Sequence, residues 1–287
     1  MRSRSFAAAT DDMARPSVPP DGAALQRRFV SALVILPLAG GAIWFGSWIF
    51  ALLLAVIGAA MCWELTQISG VDDLVAQSAM IVAALATPFV QLAFGFDGVF
   101  AAVGIGAVVL APKLFALGMP GVWIVLLGFA YVVIGVNAAG WIRADGDVGL
   151  ATVFWLVGVV IATDVGAYFT GRSIGGPKLA PDISPNKTWS GLGGGMVCAA
   201  VVGLLVAVSG MGASPAATVI ASLLLSAISQ IGDLIESKLK RYFNVKDASH
   251  LIPGHGGFLD RFDGYLTVMP AAALMSAAGG GSPISWQ

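Results

Sequence analysis

Charge is what this sequence has least of. Only 11% of its 287 residues are Asp, Glu, Lys or Arg, against about 25% in a soluble domain. So few charges cannot coat a globule with a solvated surface, which excludes a water-soluble domain and leaves a surface that faces lipid. Histidine is nearly absent, with two residues, and cysteine equally so. Cys62 and Cys198 each sit in an apolar run. They lack metal-site spacing and an evident pairing, so both read as packing residues. Neither a P-loop nor a dinucleotide fingerprint is present, nor a repeat of solenoid period. The net charge of −1 says nothing about partners.

What is present is apolar, at 57% hydrophobic residues and a mean hydropathy of +0.87. A spanning helix needs about 20 mostly apolar residues. Nine segments qualify, at about Phe29–Phe45, Trp48–Ile68, Leu74–Phe94, Gly98–Ala111, Val122–Trp141, Leu150–Gly171, Gly191–Ser209, Ala216–Glu236 and Tyr265–Ala278. The fourth is short enough to be re-entrant. With the N-terminus inside, fourteen of the fifteen Lys and Arg residues fall on inside segments and only Arg143 falls outside. That asymmetry is expected of a cytoplasmic face. The expected fold is therefore an all-α polytopic membrane protein of about nine transmembrane helices. Its N-terminus and a polar cavity lie on the cytoplasmic side, and its C-terminus lies outside. Residues 1–25, where arginines and prolines interrupt any apolar period, read as a disordered cytoplasmic tail without the pattern of a secretory signal. Residues 26–149 form an N-terminal set of helices, 150–279 a catalytic membrane region with cytoplasmic loops, and 280–287 a tail.

Two inside loops carry most of the remaining polarity. Asp164 lies within a span, where a lone charge costs about 2.5–3.5 kcal/mol on insertion scales, so it is expected to face a polar cavity. Tyr168 follows at i+4 on the same face and Arg172 one turn later. Such a stripe is also found in transporters. The following stretch brings Gly171, Gly175, Gly176, Lys178, Ser184, Lys187 and Thr188, a composition able to cradle phosphates through backbone N–H groups and cations.

The second loop is denser. Asp233 and Glu236 stand three apart on one helix face, as do Asp260 and Asp263. Paired carboxylates on facing helix ends can hold Mg²⁺, which takes one or two protein carboxylates and completes its octahedron with water and phosphates. Asp247 is a further candidate. Ser237, Lys240, Arg241, Lys246 and Arg261 lie among these acids. His255, in a Gly-His-Gly-Gly turn with Gly256 and Gly257, suits a phosphate contact or proton handling.

The string Ser237, Lys240, Arg241, Lys246, Asp247, Pro253, His255, Gly256, Gly257, Asp260, Arg261 and Asp263 resembles the signature of the phosphatidate cytidylyltransferases, also called CDP-diacylglycerol synthases. Asp164, Gly166, Ala167, Tyr168, Gly171, Arg172, Lys178, Ser184, Pro185, Lys187, Thr188 and Trp189 look like the upstream motif of that family, and Asp233 and Glu236 also fit. The resemblance runs from about Asp164 to Pro270. The N-terminal half matches only as membrane spans. One departure is Ser190, where family members commonly carry Glu.

The resemblance implies transfer of CMP from CTP to phosphatidic acid, with Mg²⁺ and room for a second cation. It also implies a homodimer, a bacterial inner membrane and no nucleic-acid partner. In that scheme Asp233, Asp260 and Asp263 hold the metal, with Glu236 and Asp247 as helpers. Lys240, Arg241, Lys246, Arg261 and Lys187 grip phosphates, with His255 beside them. Tyr168, Arg172, Lys178, Ser184, Thr188, Ser237, Gly256 and Gly257 line the substrates, and Asp164 faces the cavity as a helper or second-cation residue. An ion-coupled transporter, or a cytidylyltransferase acting on another lipid phosphate, are the alternatives.

Overall fold

The computed structural model describes residues 22–286 except 117, 119–120, 147, 210–213, 250 and 253–255, and of residues 22–32 only the helical backbone. Eight long helices are formed: α1 (Gly22–Phe45), α2 (Ser47–Ser69), α3 (Leu74–Ala116), α4 (Val122–Arg143), α5 (Gly149–Ile174), α6 (Trp189–Val208), α7 (Pro215–Tyr242) and α8 (Leu259–Gly279). Among the described residues, α2 to α7 are long and apolar enough to cross a membrane, with mean hydropathies of 1.7–2.2. The protein is a polytopic membrane protein. The expected tail at 1–25 lies outside the described residues as far as residue 21, and α1 begins at Gly22.

Helix α3 explains how two expected spans share one element. A straight helix of 43 residues would be about 65 Å long, roughly twice the hydrocarbon thickness of a bilayer. Yet Lys113 Nζ, near its end, lies 2.9 Å from Asp73 Oδ1, which precedes its start. The chain must reverse, and it does so at Gly95, whose φ of 66° and ψ of −161° break the helix. A side chain there would be strained, because that region is open to glycine. Asp73 also accepts a bond from the Ala76 amide at 2.7 Å, an N-cap. That amide and Lys113 hold the Asp73 carboxyl below its ordinary range, so the link is complete at neutral pH and is lost on strong acidification.

The surface confirms what the composition requires. Leu36, Phe45, Phe94, Val108, Leu127, Val197, Leu205 and Leu274 are all exposed, an apolar area that water would not tolerate and a membrane covers. Inside, Trp155, Phe129, Met61, Leu65 and Met80 are among the largest fully buried side chains. Several buried polar groups pair across helices: Trp155 Nε1 donates to Ser222 Oγ at 3.0 Å, Thr163 Oγ1 to Ser226 Oγ at 2.8 Å, and Asn137 Nδ2 to Thr87 Oγ1 at 3.0 Å. Along α7, Thr218, Ser222, Ser226, Ser229, Asp233 and Glu236 recur every three or four residues, a polar stripe turned into the bundle.

Helices α5 and α6 run antiparallel with almost no side-chain space between them. A Cβ on Gly166 would stand 2.7 Å from Cys198 Sγ, and one on Gly195 would stand 2.8 Å from the Thr163 carbonyl oxygen. Small residues permit such approach in membrane bundles. Between these helices a hairpin of β1 (Lys178–Ala180) and β2 (Ser184–Thr188) pairs antiparallel. This two-stranded element is an addition to the all-α expectation.

Arg143 sits at the end of the bundle remote from the charged loops. Its Nε donates to the Ile43 carbonyl at 2.6 Å and its Nη2 to that of Trp44 at 2.8 Å. These are among the last carbonyls of α1, left without helical partners, so the one cation expected outside is a helix cap. At the same end Ser282 Oγ bonds Thr152 Oγ1 at 2.7 Å, and the Ser214 amide donates to the Trp286 carbonyl at 2.7 Å, folding the C-terminal residues against α5 and α7. We expect Arg143→Met to lower thermal stability in detergent by about 1–3 kcal/mol; an unaltered melting temperature would show that the cap is dispensable.

Candidate active site

Two glycines set the geometry of the site. A Cβ on Gly232 of α7 would lie 2.5 Å from the Asp263 carbonyl oxygen, and one on Gly264 of α8 would lie 2.5 Å from Ser229 Oγ. The two helices therefore touch backbone to backbone. Asp233 and Asp263, each next to one of those glycines, are brought into electrostatic range of each other, of Asp164 and of Glu236. Tyr131 of α4 donates from its hydroxyl to the Asp263 carbonyl at 3.2 Å, fixing the start of α8 from the other side.

A polar pocket of about 200 Å³ opens beside this crossing, lined by Asp164, Tyr168, Asn186, Lys187, Thr188, Gln230 and Asp233 among others. Lys187 Nζ lies 2.5 Å from Asp233 Oδ2. It gets there because β2 alternates: Thr188 faces inward, 5% exposed, while Lys187 turns to α7. Thr188 Oγ1 accepts the Gly191 amide at 3.0 Å and so caps α6. Ser190, the departure from the family pattern, bonds Thr188 Oγ1 at 3.0 Å and donates to the Gly175 carbonyl. Here this position ties the start of α6 to the end of α5.

A second cluster lies one to two turns further along α7. Lys240 Nζ lies 2.8 Å from Glu236 Oε2 and 2.7 Å from Asp260 Oδ1. Asp260 Oδ2 accepts the Gly257 amide at 3.0 Å and that of Ala248 at 3.2 Å. Asp260 thus joins α7, α8 and the loop between them. The Ile252 and Gly256 backbones bond each other at 2.9 and 3.2 Å. His255 and Pro253 themselves lie outside the described residues.

Most of the other sequence candidates lie outside the lining of this pocket. Arg172 Nη1 donates to the Tyr168 hydroxyl at 3.3 Å, and Arg241 Nη1 to the Val245 carbonyl at 3.2 Å. Lys178, Lys246, Asp247 and Arg261 are exposed, and Ser184 and Ser237 half-buried. Arg261 is close enough to Asp164 to act on it electrostatically.

Among the described residues no three His, Cys, Asp or Glu side chains close round a common point as a finished metal cage. The donor chemistry nevertheless suits a hard cation. Asp164, Asp233 and Asp263 gather with Lys187 and Arg261 as the neighbouring cations, and Glu236 Oε1 is buried without a hydrogen-bond partner. An ion brought in with phosphates needs only one or two of these.

The residue that sequence reasoning missed is Glu64, fully buried on α2. Its Oε1 accepts the Phe258 amide at 2.8 Å and the Ser249 hydroxyl at 2.5 Å, and its Oε2 accepts the Leu259 amide at 2.7 Å. A carboxylate on the first amides of α8 meets the positive end of that helix. Gly257 has no room for a side chain because a Cβ there would lie 2.7 Å from Glu64 Oε1. The signal was available: Glu64 is an acid inside an apolar span, as Asp164 is.

A charged pocket at one end of a lipid-facing bundle, with carboxylates and lysines drawn from four elements, defines a membrane protein built to handle polyanions. The sequence model of the cytidylyltransferase family matches residues 26–278, nearly the whole chain, so the likeness extends well beyond the Asp164–Pro270 stretch that carries the motifs. The chain is 38% identical over 258 residues to the phosphatidate cytidylyltransferase of Brucella suis biovar 1 (strain 1330), covering 88% of this chain and 92% of that protein. It is 46% identical over 130 residues to that of Bacillus subtilis (strain 168), covering 45% and 48%, and 42% identical over 151 residues to that of Staphylococcus saprophyticus, covering 52% and 57%. The chain belongs to the cytidylyltransferase family and is an enzyme of that family.

Glu64→Ala strands two buried amides, each costing about 1–3 kcal/mol. We expect kcat to fall at least tenfold and the segment around residues 249–258 to become more susceptible to proteolysis, with KM for nucleotide little changed. Full activity with unchanged protease resistance would remove Glu64 from the account.

Proposed function

We propose that the protein transfers CMP from CTP to phosphatidic acid, giving CDP-diacylglycerol and pyrophosphate. The observation that carries this reading is the pocket between α5, β2 and α7, in which Lys187 and Asp233 meet beside Asp263 and Asp164 at the end of a lipid-facing bundle. The name shared by the relatives supplies the lipid substrate and agrees with that placement. Family membership leaves the transporter alternative without support.

An oxygen of the lipid phosphate forms a bond to the α-phosphorus of CTP. The bond from that phosphorus to the oxygen bridging to the β-phosphate breaks, and its electron pair leaves on pyrophosphate. The attacking phosphate monoester has a second pKa of about 6, so at neutral pH it is mostly a dianion and needs no base. What it needs is neutralisation and positioning among other anions. Lys187, held on Asp233, faces the pocket and contacts phosphate. The exposed Arg172, Lys178, Arg241 and Lys246 draw in the nucleotide, and Arg261 holds the lipid phosphate. Lys240, tied to Glu236 and Asp260, keeps the loop over α8 in place. Asp233 and Asp263 are the residues that would hold Mg²⁺, with Asp164 facing the same space; when bound, the ion would supply neutralising charge for the triphosphate and the departing pyrophosphate.

Nine crossings, a cytoplasmic N-terminus, an active site on the cytoplasmic face and a homodimer belong to the same reading. The reversal at Gly95 supports the nine, and the distribution of lysine and arginine supports the sidedness.

The test is direct. Purified protein in detergent, given labelled CTP, Mg²⁺ and phosphatidic acid, should yield lipid-extractable label and one pyrophosphate per label. Asp263→Asn should lower kcat at least about a hundredfold. Label that appears only with a different lipid phosphate would move the substrate assignment, and absence of transfer to any lipid phosphate overturns the reading. The pH profile gives a second check. Activity should decline below about pH 6 as the nucleophile takes up its second proton, whereas a profile flat to pH 5 contradicts a dianion.

A further inference from the structure

Behind the polar pocket lies a second cavity of about 340 Å³, walled by α1, α2, α4, α5 and α8. Its volume is that of a ligand site. It is elongated: its lining on α2 runs from Phe50 to Met61, about three turns or 16 Å of helix. Among the described residues, every side chain that lines it is uncharged except Arg261, which stands at the end nearest the charged loops. The opposite end is formed by Ile43, Phe50, Ala139, Val153 and Met269. We propose that this cavity receives one acyl chain of the lipid phosphate substrate, with Arg261 at the phosphate end and the far-end residues setting the chain length that fits. The inference rests on the reaction proposed above.

Three observations select this occupant. The cavity has the shape and polarity of an anionic amphiphile, a long apolar body with one cation at its head. It also shares its α5 wall with the polar pocket and reaches along α8 to the residue beside Asp263. Ile161, on its α5 wall, is less than a turn from Asp164, and Phe262, on its α8 wall, is next to Asp263. A phosphate at Arg261 would therefore stand at the reacting groups while its chain runs back along the helices. Finally, the α1 wall faces lipid. Leu36 is exposed, and a Cβ on Gly40 or Gly41 would meet nothing within 4 Å, while the Arg143 bonds to Ile43 and Trp44 pin the far end of the same helix. A chain can enter sideways past α1 without leaving the bilayer. Water would gain few partners on such a lining.

The experiment compares wild type with Ala139→Leu, which fills the far end, and Met269→Ala, which enlarges it. Neither residue touches the catalytic groups. Each protein is given dioctanoyl- and dioleoyl-phosphatidic acid in mixed micelles, with KM for CTP as the control. Ala139→Leu should lower kcat/KM for the long chain about tenfold, leaving the short chain and CTP nearly unchanged. Met269→Ala should shift the preference toward the longer chain. Opposite shifts cannot come from general misfolding. A long-to-short ratio unaltered in both variants overturns the inference while leaving the reaction intact. A wild type that transfers no label to either lipid overturns the reaction and the inference with it. A second measurement needs no variant: phosphatidic acid bearing a diazirine at the end of one acyl chain, photolysed on wild type, should label α2 near Phe50–Leu54. Label confined to the outward faces of the helices counts against an acyl site.

Discussion

Two carboxylates stand together in this protein because two helices touch without side chains between them. Gly232 and Gly264 allow α7 and α8 to approach until a Cβ would collide with the opposing helix. Asp233 and Asp263, their chain neighbours, then share one space. The same device recurs where α5 meets α6, at Gly166 and Gly195, and there it brings Asp164 and the β2 strand to the same pocket. A bundle in lipid has no water-driven force between its helices, so close packing of small residues carries the association. The geometry of the candidate site is a by-product of that packing, and any substitution that pushes these helices apart moves its charged groups together.

The charges at this end are organised rather than merely tolerated. Lys187 pairs with Asp233, and Lys240 with both Glu236 and Asp260. Buried pairs of this kind add little net stability, because desolvation offsets their attraction, but losing one partner is costly. Their role is to hold positions. Lys240 and Asp260 hold the connection between α7 and α8, and Glu64 holds the first amides of α8 from α2. The N-terminal helices thereby support a site whose named motifs all lie in the second half of the chain. The match of the family to residues 26–278 accords with that dependence.

Apolar and polar cavities share helix α5. A substrate that is half hydrocarbon and half phosphate must be handled by two such environments placed side by side. The boundary between them falls at Arg261, a long side chain able to keep its head at a polar edge while its stem lies along apolar surface.

The sequence by itself determined that the chain lives in a membrane, because 11% charge leaves no other surface to build. It determined the positions of the long apolar segments, since a helix must satisfy its own backbone in lipid, and it showed which loops hold the charged residues, because charge in such a chain collects where water is. Only the tertiary structure decided who meets whom. Lys187 and Asp233 are 46 positions apart, and Glu64 and Leu259 are separated by 195. No local periodicity encodes such distances. Glu64 was visible as a charge in a span, yet its partners are backbone amides, which every sequence contains and none advertises. The hairpin that aims Lys187 was hidden for the related reason that a three-residue and a five-residue strand are too short to show alternation, and only the helices on either side fix where that hairpin points.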